Sequence, residues 1–169
     1  MAIPSQCFLS YAHHDYSGFD RLRVHLTPIA HLFGFKLWHD QRIRAGSYWN
    51  KRIQTEIIQS QIFVLLTTND FLASEYILKH ELPAIISQHR NAGALVLPVI
   101  YRECGWRGFF GDYIQVTPIN GKGKLLPIRK WHDPEEALAT AANSISEAIR
   151  DWFKIVPHSP FALIRGLKT

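Results

Sequence analysis

Short apolar runs and segments of helical period alternate along this chain, the pattern of a sheet whose strands are joined by helices. Cys7-Phe8-Leu9-Ser10-Tyr11 reads as a buried first strand. Phe19, Leu22, Leu26, Ile29 and Phe33 then recur at helical spacing up to Gly34, a residue suited to ending a helix. Pro28 predicts a kink or break inside that helix. Phe35 to Trp38 reads as a second strand and Asp40 to Ser47 as a polar loop, with Ser47 capping a helix that carries Trp49, Ile53 and Ile57 on one face. Ile62 to Leu66 is apolar throughout, as a strand covered on both faces should be. A helical region from about Phe71 to Arg90 leads to a fourth strand, Leu95 to Ile100. Its Pro98 cannot donate to a ladder and so belongs near an edge or an irregular point. The pattern is weak over 102–131, where a short strand is expected around Tyr113 to Thr117. Asp133-Pro134-Glu135-Glu136 places an N-cap, a proline at the first helical position and a glutamate at N3, opening a last helix lined by Leu138, Ala142, Ile145, Ile149 and Trp152.

Strand and helix in alternation describe a parallel sheet flanked by helices, a fold that binds ligands beyond the carboxyl ends of its strands. Those ends are Ser10 to Asp15, Trp38 to Ser47 and Thr67 to Tyr76. With 169 residues the chain can bury one core. Ile155 to Thr169 has little periodicity and reads as a tail or a linker to a further domain.

Composition narrows the classes. Hydrophobic residues at 47% and charged residues at 20% exclude a disordered or fibrous chain. The formal charge of +5 suits phosphate-bearing ligands but is too modest to imply nucleic-acid binding. Lys122, Lys124, Arg129 and Lys130 form the densest basic stretch, read as a solvated loop in preference to a binding patch. Cys7 and Cys104 form no CxxC pair, which fits a reducing compartment. No apolar run approaches the ~20 residues of a membrane span and no secretory signal is visible, so the expected setting is cytoplasmic. Phosphate-loop, dinucleotide, HExxH and GxSxG motifs are all missing. Among nine histidines, the adjacent His13 and His14 suit one metal poorly, and no metal site is expected.

The third helical region holds the most informative residue. Ile77, Leu78, Leu82, Ile85 and Ile86 lie on one side of a helix, and at ~100° per residue Glu81 falls between Ile77 and Ile85 within that stripe. A carboxylate so placed is partly desolvated and is either functional or paired, for example with an arginine. Pro83 removes the helical partner of the Lys79 carbonyl and predicts a bend beside it.

Several segments in a fixed order resemble one family. Phe8-Leu9-Ser10-Tyr11-Ala12-His13-His14-Asp15, Gly34-Phe35-Lys36-Leu37-Trp38-His39-Asp40, Arg42-Ile43-Arg44-Ala45-Gly46-Ser47, Phe71 to Tyr76 followed by Glu81-Leu82-Pro83, and Leu97-Pro98-Val99 are similar to the Toll/interleukin-1 receptor (TIR) domain in its bacterial form. The resemblance covers roughly residues 6–153. It implies a flavodoxin-like α/β fold with a central, mainly parallel five-stranded sheet flanked by helices, over residues 1–154, with 155–169 as tail or linker. Many such domains cleave NAD⁺ at the nicotinamide–ribose bond, and Glu81 matches the family's catalytic glutamate. NAD⁺ is then substrate, and no cofactor is implied. Nicotinamide leaves as a neutral molecule, so one fixed carboxylate that stabilises an oxocarbenium-like transition state could suffice.

Carried over by position, Ser10, Tyr11, Ala12 and His13 face the ligand, Tyr48 stacks on nicotinamide with Trp49 as its competitor, and Trp38 and Asp40 end the second strand at the same rim. Tyr76 stands where many members have tryptophan. Arg44, with Arg42, is expected near a pyrophosphate. The loop 41–47 (the BB loop) has Ala45-Gly46 in place of the Pro-Gly of receptor members, and is expected at a self-association interface. The implied function is an NAD⁺ glycohydrolase activated by self-association, in bacterial antiphage or abortive-infection defence. Partners are then NAD⁺ and other TIR domains, with no membrane and no direct nucleic acid. A non-catalytic TIR scaffold and, less favoured, a nucleoside deoxyribosyltransferase-like enzyme are the alternatives.

Overall fold

The computed structural model describes residues 6–40, 49–112 and 114–155. Residues 1–5, 41–48, 113 and 156–169 lie outside the described residues, and with them the expectations for Arg42, Arg44, Ser47 and Tyr48.

Four parallel strands form the sheet: β1 (Gln6–Ser10), β2 (Lys36–Trp38), β3 (Ile62–Thr67) and β4 (Leu95–Ile100), in the order β2-β1-β3-β4. The registers pair Phe8 with both Trp38 and Phe63, and Val64 with Leu97. The five-stranded sheet expected from the resemblance is not reached among the described residues. The fifth position holds one parallel bridge, Val99 to Thr117, closed by Ile100 N–H to the Thr117 carbonyl (2.9 Å) and Thr117 N–H to the Pro98 carbonyl (3.2 Å). Pro98 sits in the last strand, as its missing N–H requires.

Side chains of β1 alternate between two cores. Cys7 and Leu9 face α1 (Tyr16–Phe33) and α6 (Pro134–Ile155), while Phe8 faces α2 (Trp49–Gln59) and α4 (Leu82–Ala92). The same alternation turns Ser10 toward the α2/α4 side. Glu135 N–H to Asp133 Oδ1 (2.9 Å) closes the cap of α6. In α1, Pro28 does not break the helix, which runs 18 residues to the left-handed Gly34. Pro28 and Val24, whose carbonyl loses its partner, both lie on the solvent side, where water can satisfy that oxygen.

The region expected as one helix is built from three pieces. Thr68 accepts the Phe71 N–H (3.1 Å) and opens α3 (Asn69–Ala73). A wide π-helical turn, Ile77–Glu81, follows and is closed by Leu82 N–H to the Ile77 carbonyl. Then α4 begins, with Pro83 in its first turn, where a missing N–H costs nothing. The expected bend is thus a change of helical width. It brings Ile77, Glu81, Leu82 and Ile85 inward together.

Candidate functional site

The carboxyl ends of β1, β2 and β3 meet where the chain crosses from one side of β1 to the other, the position at which open α/β sheets form ligand crevices. A cleft of about 450 Å³ opens there. The first loop contributes Tyr11, Ala12, His13 and His14; the end of β2 contributes Asp40; α2 contributes Trp49. The α3 segment and the π turn supply Asp70, Ala73, Ser74, Tyr76, Ile77 and Glu81.

Glu81 is the buried acid of this cleft. Only 6% of the residue is exposed, and Ser10 Oγ donates a hydrogen bond to its Oε2 at 2.6 Å. Burial pushes its pKa from 4.5 up to about 7. The Ser10 hydroxyl opposes that rise, Asp40 adds to it, and His13 lowers it again. Near neutral pH the carboxyl therefore exchanges between its two charge states, in a place that little water reaches.

Asp40 is held from outside. His13 Nε2 lies 2.6 Å from Asp40 Oδ2, with His13 largely exposed and Asp40 largely covered. Asp40 Oδ1 and Tyr11 Oη are both buried, and the Tyr11 hydroxyl interacts with the Asp40 carboxylate. The Tyr11 ring stacks on Phe19 at 3.8 Å and 8°, which fixes its plane. Burial first, then the Asp40 charge, holds its phenol above the ordinary tyrosine pKa.

Two aromatic rings form one wall. Trp49 lies against Tyr76 with ring centres 4.2 Å apart, and Tyr76 meets His80 at 5.0 Å. Tyr76 Oη donates to Asn50 Oδ1 at 2.9 Å, joining the π turn to α2. Its pKa is pushed up to about 12, by burial and then by Glu81 and Asp40. Trp49 leaves 41% of its surface exposed, while Ile53 and Ile57 below it are fully buried. The helix thus gives its apolar face to the core and its first residue to the cleft.

A buried clamp joins two of the contributing loops. Thr68 Oγ1 donates to Asp15 Oδ2 at 2.5 Å while accepting the Phe71 N–H, so one hydroxyl ties the end of β1 to the start of α3.

Most of the residues expected from sequence converge. Tyr11, Ala12, His13, Asp40, Trp49, Tyr76 and Glu81 line the cleft. Ser10 lies beneath it and touches it through Glu81. Trp38, expected at the rim, is instead buried, stacked on Phe8 at 4.9 Å and 24°. As the last residue of β2, paired in register with Phe8, it points into the α2/α4 core. Sequence reasoning missed His14, Asp70, Ala73, Ser74 and Ile77. The strand-end rule marks the segment of four of these, but no pattern singles them out. Among the described residues no three His, Cys, Asp or Glu side chains gather in a cation-binding group, and no helix is long and apolar enough to cross a membrane.

Comparison with known proteins gives a family match. The family model described as TIR domain matches residues 7–123. An uncharacterised protein of Sinorhizobium fredii, y4lF, is 33% identical over 141 residues, covering 83% of this chain and 42% of that protein. The chain therefore spans about two fifths of that relative's length. The TIR domains in the structure of the activated Roq1 resistosome directly recognizing the pathogen effector XopQ align at 17% identity, over 90% of this chain and 99% of that one, with a TM-score of 0.47.

Proposed function

This chain belongs to the TIR domain family, and on that premise we propose that it is an NAD⁺ glycohydrolase with Glu81 as its catalytic residue. The observation that carries the reading is a single buried carboxylate, hydrogen-bonded to Ser10, at a cleft walled by Trp49 and Tyr76. In the proposed reaction the bond from ribose C1′ to the pyridinium nitrogen breaks, and its electron pair stays on that nitrogen. Nicotinamide so formed is neutral and needs no acid to leave. Positive charge builds on C1′ and the ring oxygen, and ionised Glu81 stabilises it in a place poor in water. Water attacks C1′ and releases a proton, giving ADP-ribose; attack by an adenine nitrogen would instead give a cyclic product. Trp49 and Tyr76 supply aromatic surface for the flat pyridinium, with a favourable cation–π component. The π turn supports a functional assignment, since such turns recur where a side chain must be re-aimed inside a helix.

Activation by self-association through the loop 41–47, and a role in bacterial antiphage defence, belong to the same proposal. The test is nicotinamide release from NAD⁺ by concentrated protein, with and without a crowding agent. Release that disappears in a folded Glu81→Gln variant supports the enzyme. No release in any assembled state favours a non-catalytic scaffold, and release from deoxynucleosides instead favours a transferase.

A further inference from the structure

The π turn that carries Glu81 needs support from outside itself. Such a turn is wider and rarer than an α turn, and it persists where the surroundings hold it. Pro83, in the first turn of α4, also withholds an N–H from the carbonyls before it. Helix α2 makes up the difference. Tyr76 Oη, one residue before the turn, donates to Asn50 Oδ1 at 2.9 Å. Gln54 Nε2 donates to the carbonyl of His80, the residue before Glu81, also at 2.9 Å. Asn50 and Gln54 stand one helical turn apart on the same face of α2, so a single row of side chains grips the π turn at both ends. The row continues at Ile58, whose carbonyl accepts from Gln88 Nε2 of α4 at 3.4 Å, beyond the turn. The fully buried Ile53 and Ile57 fix α2 itself.

What this grip holds is the direction of Glu81. Leu82 N–H bonds the Ile77 carbonyl, whereas in an α turn it would bond that of Leu78. Exchanging one pattern for the other moves side chains by one place, about 100° round the axis. That is enough to take Glu81 off the 2.6 Å contact with Ser10 Oγ and out of the row it shares with Ile77 and Ile85. We propose that Gln54 is a positioning residue for Glu81: its hydrogen bond to the His80 carbonyl holds the turn wide and keeps the carboxylate directed into the cleft. This deepens the glycohydrolase reading and rests on it for the reaction that Glu81 serves. Gln54 is not among the residues that line the cleft, and it acts through the backbone of the turn.

Gln54→Met keeps the length of the side chain and removes the donor. Its effect is read on Glu81 itself, by NMR titration of isotope-labelled glutamate carboxyls, with Glu81→Gln assigning the resonance. Burial is the largest cause of the raised Glu81 pKa, and the substitution leaves the other groups that act on it, Ser10, Asp40 and His13, in the chain. Tyr11 and Tyr76, which feel the Glu81 charge, are also kept. A carboxyl that turns toward water is therefore expected to titrate lower than about 7, by about one unit or more. Gln88→Met is the control, since it removes a donor between the same two helices but away from the turn, and its Glu81 midpoint is expected to match wild type. With NAD⁺ at pH 8, Gln54→Met is expected to lose about tenfold or more in kcat with KM little changed, and Gln88→Met to keep its kcat. A lower midpoint by itself would leave more of the carboxylate ionised, so a falling kcat reports its displacement. Circular dichroism checks the fold, and Gln54→Ala replaces Gln54→Met should the latter fail to fold. A Glu81 midpoint unmoved in the Gln54 variant, or shifted equally in Gln88→Met, overturns the proposal. If the midpoint moves only in the Gln54 variant but wild type does not cleave NAD⁺, the glycohydrolase reading fails and this one stands. If the Gln54 variant cleaves NAD⁺ with the wild-type kcat, this one fails alone.

Discussion

Replacing Glu81 by glutamine should make the protein more stable as the pH rises. The substitution keeps the side chain's size and an oxygen to accept from Ser10 Oγ, now 2.6 Å from the carboxylate, and replaces the ionisable oxygen with a neutral NH₂. Glu81 has its pKa raised from 4.5 to about 7, chiefly by burial. The folded state therefore holds this proton more tightly than the unfolded chain does. Its contribution to stability is complete below about pH 4.5 and is lost as the pH climbs through about 7. A gap of roughly 2.5 pKa units, at ~1.4 kcal/mol each, comes to roughly 3 kcal/mol. Glutamine escapes that loss. Urea unfolding followed by tryptophan fluorescence should show the variant and wild type close at pH 4, with the variant ahead by roughly 3 kcal/mol at pH 8. A difference that stays flat between those pH values, or a wild type that gains on the variant, would refute a desolvated Glu81. A gain of this kind is what a functional carboxylate leaves behind when it is removed.

Three other substitutions test the supports of the site. Ser10→Ala removes the hydroxyl that lowers the Glu81 pKa, so the Glu81 carboxyl resonance should titrate at higher pH, with a stability loss of about 1–3 kcal/mol at pH 8; an unmoved titration contradicts the contact. Thr68→Val keeps the shape but removes both the α3 cap and the partner of buried Asp15. It should cost about 2 kcal/mol in urea midpoint analysis, and a cost within error would deny the clamp. Gly18→Ala places a methyl group within 2.8 Å of the Tyr101 hydroxyl, where α1 passes close over the sheet. About 1–3 kcal/mol should be lost, and a neutral result would mean that Tyr101 moves aside freely.

The parts of the fold legible in sequence are those where one physical requirement dominates. β3 is apolar from Ile62 to Leu66 because both of its faces are covered, and α6 announces its start through Asp133 and Pro134. Glu81 was detectable because a charge inside an apolar stripe violates the pattern around it. Pro28 misleads because a proline's cost depends on whether water can reach the carbonyl it orphans, which periodicity does not reveal. Pro83 marks the right place, but the outcome is a π turn, since a chain can widen a helix as well as bend it. Trp38 misleads in the opposite sense: a strand's last residue faces core or rim according to a register that three residues of β2 cannot announce. The His13–Asp40 contact joins positions 27 residues apart, and the Tyr11–Asp40 neighbourhood spans a similar separation. Only the strand order β2-β1-β3 brings them together.

The central claim is that ionised Glu81 drives cleavage of NAD⁺, and the pH dependence of nicotinamide release tests it most directly. The rate should fall about tenfold per unit below a midpoint near pH 7, coincide there with the NMR titration of the Glu81 carboxyl, and vanish in Glu81→Gln. Release that persists in Glu81→Gln, or that keeps its rate at a pH where the carboxyl is protonated, would contradict it.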